Sequence, residues 1–472
     1  MSNYQSWGQY PSSNPHSVFP IFWTSDTVPF ETSDKPFLPY AHGRSYGDSC
    51  LNDQGNLLDV SPLRRLIAFD EKTGVLRCEA GVTFSDIHQL TIPTGWFLPV
   101  TPGTQFVSIG GAIANDIHGK NHHQAGTFGL HVKSFELLRS NGEHLLCSPE
   151  HNLDFYCATI GGLGLTGLIL WAEIQLKPVL GPWIKTQRLR FKNLKEFFQL
   201  STEADQHFEY TVAWIDCFAK GPHLGRGIFI QGNHQKKEDS IDSQFHLRQT
   251  RSIPLNPPFG LINSTTLKWF NSFYYNTACP KSSSRNFEPY DRFFYPLDAI
   301  RNANRLYGTE GFLQYQCVIP VAVQKEGTET LLSHIQRSNQ GSSLAVLKQF
   351  GTITSPGLLS FPKAGTTLAL DFPFRGEKTL KLLSELDEIV AKSGGAVYPA
   401  KDARMSSKHF QQYFPKWREF SRFIDPKFSS SFWRRVMSDT EEVPGETRHN
   451  QEISNPPIFD RETPMSSLAN SR

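Results

Sequence analysis

The sequence predicts an α+β protein in two successive parts, a glycine-loop domain and a second α+β domain built on an antiparallel sheet. Three observations carry this. Three glycine-rich turns, each beside a short apolar segment, fall within the first 170 residues. Beyond Pro178 the texture changes to alternating, strand-like segments separated by helical ones. The 472 residues suit two or three domains or one large α/β enzyme core.

Residues 1 to about 20 carry Pro, Ser and Asn throughout and read as irregular. Phe37-Leu38-Pro39-Tyr40 reads as a short apolar strand running into the loop AHGRSYGDS at 41–49. A strand entering a loop with two glycines, Gly43 and Gly47, is a geometry that grips a diphosphate, because backbone N–H groups come close where no Cβ intervenes. No Gly-Lys-Ser/Thr follows, so it is not a P-loop, and the G-x-G-x-x-G of a Rossmann turn is absent here. Segments 57–60 and 75–80 read as strands, and 84–90 as a short helix with Ser85 as its N-cap. The second glycine element is TPGTQFVSIGGAIANDIHGKNHHQAGTFGLHV, residues 101–132. Pro102-Gly103-Thr104 is a turn, and Gly110-Gly111 opens the small apolar run Ala112-Ile113-Ala114. A titratable cluster of His118, Lys120, His122 and His123 follows. Segments 132–138 and 144–147 read as paired strands around Ser140-Asn141-Gly142. The third loop, GGLGLTG at 161–167, precedes a strand at 168–176. Three backbone-accessible loops predict one extended ligand lying across them, with phosphates and a planar ring.

In the second part, 184–191, 210–218, 227–231, 312–319, 344–350 and 366–372 read as antiparallel strands. Helices are expected at 194–204, 330–337 and, most clearly, 377–392. There Leu380, Leu383, Leu386, Ile389 and Val390 share one face and Gly394-Gly395 stops the helix. Residues 234–262 and 280–289 read as long loops. Ala396-Val397-Tyr398-Pro399-Ala400-Lys401-Asp402 follows the clearest helix, and a Tyr and a Lys beside an apolar strand can project into a cleft. Residues 438–472 are polar, contain Pro and read as a disordered tail.

A net charge of +2 with 19% charged residues gives no argument for a nucleic-acid partner. Seven scattered cysteines without a C-x-x-C pair argue against a disulfide framework or a zinc module, and for reduced thiols. The N-terminus lacks the apolar core of a signal peptide, and no run is apolar enough to span a bilayer. The expectation is a cytoplasmic chain, soluble or peripheral on a membrane.

GRSYGDS at 43–49, TPGT with GGAIANDIHGKNHH at 110–123, and GGLGLTG resemble the FAD-binding domain of vanillyl-alcohol-oxidase-type flavoenzymes, the PCMH type. Within that group the chain is most similar to the decaprenylphosphoryl-β-D-ribose 2-oxidases. The likeness continues through VAWIDC at 212–217, GFLQYQ at 311–316, LKQFG at 347–351, DFPF at 371–374 and YPAKDAR at 398–404, so it spans roughly residues 5 to 437. The resemblance implies a two-subdomain FAD-binding domain over 5–180 and a substrate domain over 181–395. Residues 396–437 would return to the FAD domain. FAD would be held by Gly43, Arg44, Ser45, Tyr46, Gly47 and Asp48, by Gly103, Ser108, Gly110, Gly111, Asn115 and His118, and by Gly164, Gly167 and Tyr398. Many relatives link FAD covalently through a histidine in the first loop. Tyr46 fills that place here, so noncovalent FAD is expected. Substrate residues carry over to Lys120, Tyr295, Gln314, Gln316, Lys348, Thr367 and Lys401, with Lys401, Tyr46, His118 and Lys120 at the chemistry. One departure stands out: mycobacterial members have Asn-x-Cys where this chain has Thr367-Leu368-Ala369, so the thiol that some covalent inhibitors exploit is missing.

The implied reaction oxidises the 2-hydroxyl of a polyprenylphosphoryl pentose, ribose in the family, to a 2-keto sugar, the first half of a 2-epimerisation in cell-envelope metabolism. The flavin accepts a hydride, and a positioned Lys or Tyr takes the hydroxyl proton. A separate NAD(P)H-dependent short-chain reductase would complete the epimerisation, and a quinone or oxygen would reoxidise the flavin. One alternative is an oxidase of a soluble alditol, aldonolactone or other small polyol, like the D-arabinono-1,4-lactone oxidases. Another is a metal hydrolase using His118, His122 and His123. Against it, carboxylate ligands in register are not evident, and no metal is expected. A third is a noncatalytic protein that keeps FAD structurally.

Overall fold

The computed structural model describes residues 4–239, 245–246, 248, 250–253, 264–279, 286–342 and 344–438. The tail expected beyond 438 and much of the loop expected at 234–262 lie outside the described residues. Two sheets occupy the N-terminal part. The first is parallel and three-stranded, with Asn56–Asp59 between Ser17–Pro20 and Phe37–Tyr40. The second is antiparallel and five-stranded, in the order Leu66–Asp70, Val75–Glu79, Leu168–Gln175, Val132–Leu138, His144–Cys147. Leu76, Cys78, Phe135, Leu137, Ala172 and Ile174 alternate onto the buried face of the five-stranded sheet, where the helices Phe84–Thr91 and Ile109–Ala114 cover them.

Two local expectations change here. Thr83, not Ser85, caps the helix Phe84–Thr91. Its hydroxyl accepts from the Asp86 N–H while the Asp86 carboxylate accepts from the Thr83 N–H, a capping box that needs an acid three residues on. Gly110 and Gly111 are not in a loop but in the helix Ile109–Ala114, whose Ser108 hydroxyl accepts from the Gly111 N–H. A Cβ on Gly110 would lie 3.0 Å from the Cβ of Ala80, so the helix packs against the sheet through a bare backbone.

The second part is one antiparallel sheet of eight strands: Asn286–Pro289, Trp183–Phe191, Gly227–His234, Tyr210–Ile215, Ala345–Phe350, Gly365–Pro373, Phe312–Pro320, Ala396–Val397. The helices Leu194–Ala204, Gln324–Ser338 and Glu377–Lys392 share a hydrophobic core with it. The last helix has the bounds its periodicity gives, but Leu382 is buried beside Leu383, Leu386 and Val390, while Leu380 and Ile389 are only partly buried. Leu386→Ala there should cost about 2–5 kcal/mol. The strand Phe312–Pro320 sets the site. Leu313, Tyr315 and Cys317 enter the helix-covered core, so by period two Gln314 and Gln316 take the opposite face. Residues 286–289, expected within a loop, form an edge strand instead, held by Trp183–Phe191. The helix Ser264–Thr277 has no counterpart in the sequence reading.

After Ala396–Val397 the chain runs back to the first glycine loop. The Tyr46 N–H donates to the Ala400 carbonyl, and Arg435, in the helix Ser431–Val436, forms ion pairs of 2.7 Å with Asp48 and 2.8 Å with Asp402.

Candidate active site

A cavity of about 950 Å³ lies among the three glycine elements, the strands Ala345–Phe350, Gly365–Pro373 and Phe312–Pro320, and the turn Pro399–Lys401. From the first loop Gly43, Arg44, Ser45 and Tyr46 line it. Gly43 adopts φ +56°, and neither its N–H nor that of Arg44 has an acceptor among the described residues. The Arg44 guanidinium lies between the rings of Trp7 (4.6 Å) and Phe106 (5.6 Å), and desolvation pushes its pKa down. Gly47 and Asp48, assigned to the cofactor from sequence, do not line the cavity. A Cβ on Gly47 would stand 1.6 Å from the Asp402 carbonyl oxygen, and Asp48 is turned to Arg435. Their place in the motif reflects how the loop is fastened.

The second element contributes Gly103, Ser108, Gly110, Gly111, Asn115 and His118, and the third Gly164 and Gly167. His118 is buried beside Phe350, Phe361 and Tyr398. Gln316 Nε2 lies 2.8 Å from His118 Nε2 and 3.2 Å from the Thr367 hydroxyl. With the amide donating, His118 carries its proton on Nδ1. Burial first, then the nearby Lys348, His122 and Lys401 charges, hold its pKa well below the usual value, so it is neutral.

Tyr398, Lys348 and Lys401 complete the polar wall. The Tyr398 ring stacks on Phe361 at 4.7 Å and its hydroxyl donates to the Asn115 carbonyl (2.8 Å), tying the C-terminal turn to the second glycine element. Lys348 donates to the Gly119 carbonyl at 3.2 Å, and desolvation lowers its pKa to about 8. The Lys401 ammonium sits 3.7 Å from the centroid of the Tyr46 ring. Desolvation lowers its pKa to about 7, opposed by the charge of Asp371 and assisted by that of Lys348.

Four other residues assigned from sequence are not among those lining the cavity. Lys120 donates to the carbonyls of Phe293 (3.1 Å) and Phe294 (3.0 Å), capping a helix end. Tyr295 is buried, its hydroxyl bonded to His88 Nε2 at 2.8 Å and to the Thr101 hydroxyl. The Gln314 amide donates to Asp371, its cross-strand neighbour, and the Thr367 hydroxyl accepts from Gln316. Sequence reasoning missed Asp371 and Tyr307, which do line the cavity. A carboxylate inside the apolar strand TTLALDFPF was the available signal for Asp371. His122 bonds the Gly351 N–H and His123 the Phe208 carbonyl, and no metal-binding group of three is present among the described residues.

These features fit FAD. A cavity of this size accommodates a large cofactor, with glycine backbone at three walls. Four lining residues carry buried polar atoms with no partner among the described residues: Arg44 Nε, Ser49 Oγ, Asn115 Oδ1 and His118 Nδ1. Residues 30–148 match the FAD binding domain family. The chain is 36% identical over 410 residues to decaprenylphosphoryl-beta-D-ribose oxidase of Mycolicibacterium smegmatis, covering 84% of this chain and 88% of that relative. It is 32% identical to an uncharacterized protein in the mprA 5'region of Streptomyces coelicolor, covering 75% of this chain and 100% of that one. L-gulonolactone oxidase of Mus musculus is 25% identical over 51% of this chain and 54% of its own length.

Proposed function

The chain belongs to the decaprenylphosphoryl-β-D-ribose oxidase family of FAD-dependent oxidoreductases, and from that premise we propose that it oxidises the 2-hydroxyl of a polyprenylphosphoryl pentose. The observation that carries the chemistry is the place of Lys401: its amine lines the cavity and faces the ring of Tyr46, and desolvation there lowers its pKa. The three glycine elements would hold FAD noncovalently, and the bound flavin would supply a two-electron acceptor for the carbinol hydride. Lys401 takes the hydroxyl proton. A neutral amine at neutral pH is what a general base requires, and desolvation provides it. Gln316 and His118 orient the sugar, and Lys348 attracts the phosphoryl group.

Two features support a lipid-linked substrate over a soluble polyol. Leu267 and Phe270 of the helix Ser264–Thr277, with Leu297 and Ile300, bring apolar side chains into the cavity lining beside the polar Asp298, Arg301, Asn302 and Asn304. Trp269 is 77% and Phe273 68% exposed on the same helix. No described helix is long and apolar enough to cross a membrane. In this reading the helix rests on a membrane surface while the sugar reaches the lysines. The keto product passes to a separate NAD(P)H-dependent reductase, and a quinone or oxygen reoxidises the flavin. Anaerobic mixing with polyprenylphosphoryl ribose, polyprenylphosphoryl arabinose, xylitol and gulonolactone tests the proposal. Bleaching by the ribose lipid is expected; bleaching by a soluble polyol alone would refute it.

A further inference from the structure

The cavity wall holds the carboxylate of Asp371, which is only 6% exposed and forms no ion pair within 4.0 Å among the described residues. It stands on the strand Gly365–Pro373 directly opposite Gln314. Gln314 Nε2 donates to Asp371 Oδ1 at 2.5 Å, and the Tyr307 hydroxyl donates to Oδ2 at 3.4 Å. Tyr307 stacks on Phe312 at 4.2 Å, and Phe312 meets Tyr46 edge-on at 5.6 Å. The ammonium of Lys401 rests on the other contact of that chain, the Tyr46 ring. A buried carboxylate and a half-buried amine thus share a cavity without a direct ion pair, each held by neutral groups.

We propose that Asp371 is a positioning residue for the oxidation, a fixed counter-charge held by Gln314 and Tyr307 that stabilises Lys401 in its protonated form as the substrate proton arrives. This rests on the reading that Lys401 is the base. The step balances simply. The O–H bond of the 2-hydroxyl breaks and an N–H bond forms on Lys401, while the carbinol hydrogen leaves with its electron pair to the FAD of the family reaction. The net charge near Lys401 rises by one, and a carboxylate placed outside contact range compensates it without locking the amine in an ion pair, which would hold it permanently protonated. Burial raises the Asp371 pKa, and the hydrogen bonds from Gln314 and Tyr307 oppose that by favouring the carboxylate. The other groups facing the pair are Tyr46 from the first glycine loop, with Arg44 and Asp298 acting on it; Tyr307 from its turn; Lys348 from the strand Ala345–Phe350; and His118. Of these Lys348 opposes protonation of Lys401, so Asp371 is the group left to favour it.

The test measures Lys401 directly. In the purified FAD-loaded protein, the pH dependence of acetic anhydride labelling at Lys401, followed by peptide mass mapping, gives the titration midpoint of the amine without turnover. Asp371→Asn should move that midpoint down by about one pH unit, a tenfold change in proton affinity. It should also slow anaerobic flavin reduction at least tenfold with FAD content unchanged. Gln314→Met, which loosens the carboxylate but keeps it, should move the midpoint the same way by less and serves if the first variant does not fold. An unmoved midpoint in a folded, FAD-replete variant would overturn the proposal. A moved midpoint with undiminished flavin reduction in Lys401→Met would instead overturn the assignment of Lys401 as base, and with it this role for Asp371.

Discussion

Lys401 owes its chemistry to place. A lysine on the surface is protonated at neutral pH, whereas this one is partly desolvated in the cavity wall and faces an aromatic ring. Its pKa is depressed to about 7, so the amine is neutral above that pH and cationic below it. Flavin reduction should therefore rise with pH through about 7 and level off above. Lys401→Met should remove that inflection and slow reduction about 10²–10⁴-fold while FAD binding persists, as stopped-flow absorbance against pH will show. A second expectation concerns Tyr46. The family resemblance puts Tyr46 in the place of a linking histidine, so acid precipitation should release the yellow cofactor into the supernatant; colour in the pellet would refute it. At this scale the sequence was legible where a motif singled out a residue, as for Lys401 and His118. It was silent where a side chain's direction decides. Lys120 and Lys348 are both lysines within quoted motifs, yet one is spent on the carbonyls of Phe293 and Phe294 and the other lines the cavity.

The elements were more legible than their junctions. Six strands of the large sheet fall at or near the expected bounds because β-branched and aromatic residues alternate there, and the helix Glu377–Lys392 matches because its apolar stripe is regular. The helix Ile109–Ala114 reads as loop because two glycines disfavour a helix in isolation; packing against Ala80 overrides that propensity. The helix Ser264–Thr277 was missed because its apolar residues face the cavity and solvent rather than a core stripe. The junction that matters most is an ion triad. Arg435 holds Asp48, beside the first loop, to Asp402, beside Lys401, and both carboxylates are buried. Removing the shared cation leaves two buried anions unpaired, so Arg435→Ala should destabilise the protein by about 3–5 kcal/mol. The exposed Arg418→Ala should stay within about 0.5 kcal/mol. Urea unfolding of both variants checks the difference.

Across the whole molecule, the residues that meet at the cavity are spread from Trp7 to Lys401, and no local pattern states that they meet. What the sequence could convey was the motif set; what it could not was that a carboxylate on one strand of the large sheet and an amine after its last strand would face the same space. The central claim is that this space removes hydride from the second carbon of a polyprenylphosphoryl pentose. The most direct measurement is a single anaerobic turnover with polyprenylphosphoryl ribose carrying deuterium only at that carbon, followed by mass analysis of the sugar. Flavin bleaching with one ketose formed and the deuterium lost is the expected result; bleaching with the deuterium retained, or no bleaching by this lipid, would contradict it.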